Sequence, residues 1–183
     1  MKIEELPLKG AFHLEPNILK DHRGYFFEWF NQKVFKAQTG INFQPKQFNC
    51  SRSTYGVLRG MHFQKQPHAQ SKLVTVTKGE IQDVVIDLRK DSPTFGQHFS
   101  VVLSERKKNQ LFVPKGFAHG FLVLSEQAEI FYAIDDFYAP SFEDGLCYND
   151  PLLKIKWEID ENEIILSERD KTYGGLEGSA MKI

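Results

Sequence analysis

Six histidines stand in this chain, at positions 13, 22, 62, 68, 98 and 119. Two of them have neighbours that could make them chemical. The stretch Gly56-Val57-Leu58-Arg59-Gly60-Met61-His62-Phe63-Gln64 sets a guanidinium and an imidazole among glycines, and Lys72 follows in Gln70-Ser71-Lys72-Leu73. Imidazole exchanges protons near neutral pH, and an Arg beside a Lys suits an anionic substrate. On one regular strand Arg59 and His62 would point to opposite faces. A bulge or turn at Gly60 would bring both into one pocket. His119 lies in Val113-Pro114-Lys115-Gly116-Phe117-Ala118-His119-Gly120. A strand-borne metal site would need a further ligand just after His62, and Phe63-Gln64 stand there instead. Catalytic metal sites normally have three protein ligands, so no metal is expected. His13, His22, His68 and His98 read as hydrogen-bonded core residues.

Short strands must carry these groups. Strand-like runs occur at Leu73 to Thr77, Glu80 to Leu88, His98 to Leu103, Gln110 to Val113, Gly120 to Leu124 and Glu129 to Ile134. Turn signals separate them: Lys78-Gly79, Asp91-Ser92-Pro93, Glu105 to Asn109, Pro114-Lys115-Gly116 and Ser125-Glu126-Gln127. Aromatic content is 13%, with 16 Phe, 6 Tyr and 2 Trp, and such rings fit pleated, half-buried surfaces. This pattern predicts an all-β sandwich or jelly roll, with no room for the crossover helices of a parallel sheet. One short helix is expected over Asn31 to Gln38, capped by Asn31 and closed by Gly40. The polar stretch 41–59, dense in Gln, Asn, Ser and Arg, reads as a binding surface. A single domain over 1–183 is expected, with a tail at 173–183 that frays.

Composition narrows the partners. Lys plus Arg number 23 and Asp plus Glu 24, a formal net charge of -1. No global basic field draws the chain to nucleic acid or an anionic membrane. No apolar run nears the ~20 residues of a membrane helix, and Met1-Lys2-Ile3-Glu4-Glu5 does not open a signal peptide. Cys50 and Cys147, the two cysteines, are too few for a disulfide framework. A cytoplasmic home is the simplest expectation.

Taken alone, Tyr132 in Ile130-Phe131-Tyr132-Ala133-Ile134 is a core residue, and Asp170 in Ser167-Glu168-Arg169-Asp170-Lys171 belongs to a solvated charge run. The ordered set of motifs promotes them. Asp21-x-Arg23-Gly24-x-Phe26-x-Glu28, Gln47-x-Asn49-x-Ser51, Gly56 to Gln64, Lys72-Leu73-Val74 and Asp83-Val84 come first. Asp91 to Gly96, Pro114-x-Gly116-Phe117-Ala118-His119-Gly120-Phe121, Tyr132, Tyr138, Asn149-Asp150-Pro151, Trp157 and Leu166-Ser167-x-Arg169-Asp170 follow. From about residue 10 to 171 the chain resembles the dTDP-4-dehydrorhamnose 3,5-epimerase family.

That resemblance implies a cupin-type jelly roll with a few short helices, a homodimer, and no metal or redox cofactor. It implies a dTDP-4-keto-6-deoxy sugar as substrate. It makes His62 the base, Asp170 the carboxylate that orients it, and Tyr132 the acid on the opposite side. Lys72 lies by the keto oxygen. Arg23, Phe26, Glu28, Gln47, Asn49, Arg59, His119, Glu143 and Arg169 fall at substrate-contacting positions, with Asp144 an equal candidate beside Glu143, and Tyr138 stacks on the thymine. The departures from the family pattern, Ala133, Cys147-Tyr148 and Arg169, are expected near the nucleotide or the sugar. The residues suit the chemistry: C3 and C5 both adjoin the C4 carbonyl, so inversion needs a base, an acid opposite, and positive charge at the oxyanion.

Overall fold

The structure, a computed structural model, describes residues 1–179, with side chains described to 177. Six strands form one antiparallel sheet: β1 (Lys2–Glu5), β2 (Phe12–Glu15), β5 (Gln47–Thr54), β7 (Lys72–Lys78), β10 (Gln110–Val113) and β12 (Gln127–Ile134). Their order is β1-β2-β10-β7-β12-β5. A second sheet holds β6 (Leu58–Gln64), β8 (Glu80–Asp87), β9 (His98–Ser104), β11 (Phe117–Val123) and β13 (Glu143–Gly145) in the order β13-β6-β11-β8-β9. A small hairpin, β3 (Leu19–Asp21) and β4 (Gly24–Phe26), forms a two-stranded sheet of its own. In the two large sheets, all neighbours except β1–β2 and β8–β9 are non-consecutive in the chain, as in a jelly roll.

Three apolar clusters explain why the strands read as nearly continuous hydrophobic runs. Between the sheets lie Val74, Val76, Ile81, Val85, Val123 and Ile130, all at most 1% exposed. Outside the five-stranded sheet, Val84, Ile86 and Leu88 pack under Leu146, Leu153 and Trp157 of the C-terminal segment. Outside the six-stranded sheet, Leu14, Leu73, Phe112 and Ala133 pack under Phe35 and Phe43. β8 is therefore buried on both faces over seven of its eight positions, and alternation disappears where both faces are covered.

The helix α1 (Gln32–Thr39) supplies the lid of the third cluster. The Asn31 side chain accepts from the Val34 N–H, and Gly40, at φ 75, donates its N–H to Lys36 O. Both ends are thus satisfied, and Phe35 is the residue that the helix buries. The first residues of the tail, which the sequence leaves to fray from 173 onward, make contacts with the body of the domain. Cys147 N–H donates to Gly174 O at 2.9 Å, Leu176 packs on the outer cluster, and α2 (Leu176–Ser179) follows. Glycines there serve close approach as well as freedom. The end of that expectation, residues 180–183, lies outside the described residues.

At the end of β8 the fold stores a charge. Asp87 is fully buried and accepts from Arg89 Nε (2.8 Å), Arg89 Nη2 (2.7 Å), Ser92 Oγ (2.5 Å) and Thr94 Oγ1 (2.6 Å). Burial alone would raise its pKa, but the Arg89 guanidinium and the two hydroxyls bring it down to about 2. The folded value lies below that of an unfolded carboxylate, about 4. Its contribution is therefore complete above about pH 4 and drains as pH falls towards 2. Asp87→Asn should lose about 3 kcal/mol at pH 7, the scale of a broken buried pair. In urea denaturation the gap between variant and wild type should narrow below pH ~4; a gap constant down to pH ~2 would contradict it.

Candidate active site

The site begins with one extra residue. β6 pairs with β11 so that His62 faces His119 and Arg59 faces Phe121, with the register shifted between. Two steps on β11 thus oppose three on β6, and the added residue restores Arg59 and His62 to one face. Gly60, at φ 137, occupies the kink; a Cβ there would lie 2.5 Å from Gly120 Cα. Only paired glycines let the two strands touch so closely. The pocket-forming bulge expected at Gly60 is present, and Arg59, His62, Lys72, His119 and Tyr132 line one recess with Ser51 and Phe121.

The opposite wall comes from the other sheet. Register puts Gln47 beside Ile134, Asn49 beside Tyr132 and Ser51 beside Ile130, with Lys72 and Val74 across from Ile134 and Tyr132. Period-two alternation points these rows inward. The polar stretch at 41–59 therefore contributes alternate side chains of β5 to the cavity. That cavity, of about 310 Å³, is lined by Gln47, Asn49, His62, Gln64, Gln70, Lys72, Tyr132, Tyr138 and Glu143, with Phe63 and Ile134.

Two imidazole–carboxylate pairs stand here, His62 on the cavity wall and His119 in the adjoining recess. His62 Nε2 bonds Asp170 Oδ1 at 2.5 Å, and His119 Nε2 bonds Asp83 Oδ1 at 2.6 Å. Asp170 is 4% exposed and Asp83 fully buried. Burial would raise the Asp170 carboxyl, but the hydrogen bond and charge of His62, helped by Ser167 and Arg169, bring it below its usual range. Burial pushes the Lys72 ammonium down to about 8, against the pull of Glu143 and Asp83. Burial also raises the Tyr132 phenol, although Arg59 opposes it, so the phenol keeps its proton near neutral pH. Among the described residues, no cluster of three His, Cys, Asp or Glu could hold a metal.

At the mouth, Tyr138 Oη donates to Glu143 Oε2 at 2.6 Å, and Arg169 Nη2 reaches the same oxygen at 2.7 Å. Asp144, the alternative to Glu143, bonds Lys65 instead. Arg59 donates from Nε to Ser53 Oγ at 3.0 Å. Gln64 was not a candidate, yet it fixes the loop that carries Tyr138. Its amide donates to His68 O and Phe137 O and accepts from Ala139 N–H, while Gln47 Oε1 accepts from Tyr138 N–H. Gln64 could have been found only from the inward phase of β6, while Gln70 lies in the loop before β7 and carries no such signal.

Several expected residues stand elsewhere in the single chain. Arg23 and Phe26 line a separate recess on the β3–β4 hairpin with Asp21 and Tyr25, and Glu28 accepts from Asn31. Among the described residues of one chain, none of the three lines the cavity. Ala133 faces the aromatic cluster under α1 and not the site, so its small size answers to packing there. Cys147 donates to Asn149 and Tyr148 to Glu161, on another surface. His22 is exposed, and His68 pairs with Asp136 at the surface; neither is a core residue. His13 shares a hydrogen bond with Asn109.

Against this geometry stand the comparisons with known proteins. The family model described as dTDP-4-dehydrorhamnose 3,5-epimerase matches residues 5–177. A curated dTDP-4-dehydrorhamnose 3,5-epimerase of Pseudomonas aeruginosa is 47% identical over 171 residues, 93% of each chain. The crystal structure of dTDP-4-dehydrorhamnose 3,5-epimerase from Elizabethkingia anophelis superposes with a TM-score of 0.96 at 46% identity, covering 98% of both chains. A dTDP-6-deoxy-D-glucose-3,5-epimerase from Legionella pneumophila, solved with dTDP-4-keto-L-rhamnose, gives a TM-score of 0.92 at 43% identity, covering 96% of this chain and 93% of that one.

Proposed function

The chain belongs to the dTDP-4-dehydrorhamnose 3,5-epimerase family, and from that premise we propose that it inverts C3 and C5 of dTDP-4-dehydro-6-deoxy-D-glucose to give dTDP-4-dehydro-L-rhamnose. One observation carries the reading. An imidazole backed by a buried carboxylate and a protonated phenol line one cavity from opposite sheets, His62 on β6 and Tyr132 on β12, with the half-buried Lys72 ammonium beside them.

The chemistry follows from the ketone. Its carbonyl acidifies the protons on both neighbouring carbons. His62 has Nε2 on Asp170, which leaves Nδ1 to take the proton from C3 or C5. Asp170 fixes the tautomer and stabilises the imidazolium. Negative charge moves to the C4 oxygen, where Lys72 meets it; donors placed at a developing oxyanion contribute roughly 3 kcal/mol. Tyr132 then delivers a proton to the opposite face of the carbon, which inverts the centre. Exchange with water returns a proton to Tyr132 and removes one from His62. Both steps use the same four groups, and the reaction is redox-neutral because the ketone is already in the substrate.

Binding uses the mouth. Arg59 and Arg169 grip the diphosphate through charge-assisted hydrogen bonds, and Tyr138, 49% exposed, stacks on the thymine. We also propose a homodimer. The β3–β4 hairpin carries Tyr25 and Phe26, 56% and 69% exposed, and β5 leaves Phe48 56% exposed. Such apolar surface marks an interface. A second copy of the chain would let Arg23, Phe26 and Glu28 reach a cavity that they do not reach in their own chain.

The expected result with dTDP-4-keto-6-deoxyglucose in D2O is deuterium at both C3 and C5 of an inverted product, followed by NMR. Exchange at one centre alone would make the protein a mono-epimerase, and no exchange would make it a binding protein. Light scattering at micromolar concentration should give twice the chain mass; a monomer mass would refute the dimer.

A further inference from the structure

The reading of His62 as the base leaves open what holds its ring, since one hydrogen bond to Asp170 lets an imidazole swing about that bond. We infer that Tyr173, which no candidate site residue above includes, is the positioning residue that holds the His62 ring in place from a second side. The inference rests on the proposed function and deepens it.

The ring of Tyr173 meets that of His62 edge to face, with centroids 5.6 Å apart and planes at 69°. This is a favourable geometry between ring edge and ring face. The seat beneath it is built by an absence. Gly145 is the cross-strand partner of His62, and a Cβ at Gly145 would fall 2.6 Å from two Tyr173 ring carbons. A glycine opposite the base is thus what admits the phenol. The segment is also pinned on both sides. Asp170 holds it through His62, and Cys147 N–H donates to Gly174 O just beyond the ring. The Arg169 guanidinium lies 5.8 Å from the Tyr173 ring centre and pairs with Glu143. Tyr173 is not among the residues that line the cavity, and its ring contact is with the base.

The function of the segment after Asp170 is then to close around the imidazole. Asp170 fixes one nitrogen and Tyr173 limits the swing of the ring plane. Both proton abstractions use one base, so a loosened ring should slow exchange at C3 and C5 together.

The test compares Tyr173→Ala, Tyr173→Leu and Tyr173→Phe in the full chain, with deuterium exchange from D2O into dTDP-4-keto-6-deoxyglucose as the readout. Tyr173→Ala should lower kcat roughly 10- to 100-fold, part of the ~100- to 10,000-fold that a positioned acid–base group contributes. KM and the dTDP dissociation constant should move less than about three-fold, the pattern of an interaction made in the transition state. Tyr173→Phe keeps the ring and should restore kcat to within a few-fold of wild type. Should Tyr173→Ala unfold, Tyr173→Leu keeps bulk without the ring edge and should still show a lowered kcat. Wild-type kcat in Tyr173→Ala or in folded Tyr173→Leu would overturn the inference. So would a Tyr173→Phe defect as deep as that of Tyr173→Ala, or a rise in KM alone. His62→Asn run beside them separates the two readings: if it retains wild-type exchange, the assignment of the base fails, and if it is dead while Tyr173→Ala is fully active, only the role of Tyr173 fails.

Discussion

The extra residue of β6 at Gly60 is the constraint on which the site depends. Without it, Arg59 and His62 would lie on opposite faces of the five-stranded sheet, one inside the sandwich and one in the outer cluster. With it, both face the six-stranded sheet, and His62 stands across from His119. The bulge needs two glycines, because Gly60 lies within reach of Gly120 where no side chain fits on either. The rest of the jelly roll supplies the opposite wall. Its inner rows place Asn49, Tyr132 and Lys72 where polar groups can meet one substrate, while Val74, Val76 and Ile130 continue the same rows as dry core.

The cavity is also a balance of charges. Lys72, Arg59 and Arg169 bring positive charge; Asp83, Glu143 and Asp170 answer it from buried or half-buried positions. A buried ammonium without such partners would surrender its proton. Here it keeps one up to about pH 8, which is the range in which an oxyanion at the sugar's C4 would need it. The same balance keeps Asp170 ionised against its burial, so that the imidazolium formed after proton abstraction has a counter-charge in place.

Much of this was legible in the residues. Four of the six strand-like runs fall within a strand, the two that end at Leu88 and Leu124 overrun β8 and β11 by one residue, and Asn31 and Gly40 cap the helix as their types require. The Gly60 bulge followed from the spacing of Arg59 and His62. Tyr132 and Asp170 were not legible alone, because an apolar strand and a charge run look the same whether or not a cavity lies beside them. Only the ordered motifs raised them. What stayed hidden depended on tertiary pairing. Glu143 and Asp144 are neighbours whose faces differ only once β13 pairs with β6. Ala133 looked close to Tyr132 in sequence but turns to the other side of the sheet. Tyr173 sat among glycines that suggested a loose tail, and its seat on Gly145 is set by a contact across 28 positions.

The central claim is that His62 and Tyr132 serve opposite faces of the sugar. It is tested most directly by solvent deuterium exchange in His62→Asn and Tyr132→Phe, with product configuration read by NMR. Without the base no enolate forms, so His62→Asn should exchange neither C3 nor C5. Without the opposite acid the base can still remove a proton and return it to the same face. Tyr132→Phe should then incorporate deuterium with retained configuration and little inversion. Wild-type inversion in Tyr132→Phe, or exchange at both carbons in His62→Asn, would contradict the account.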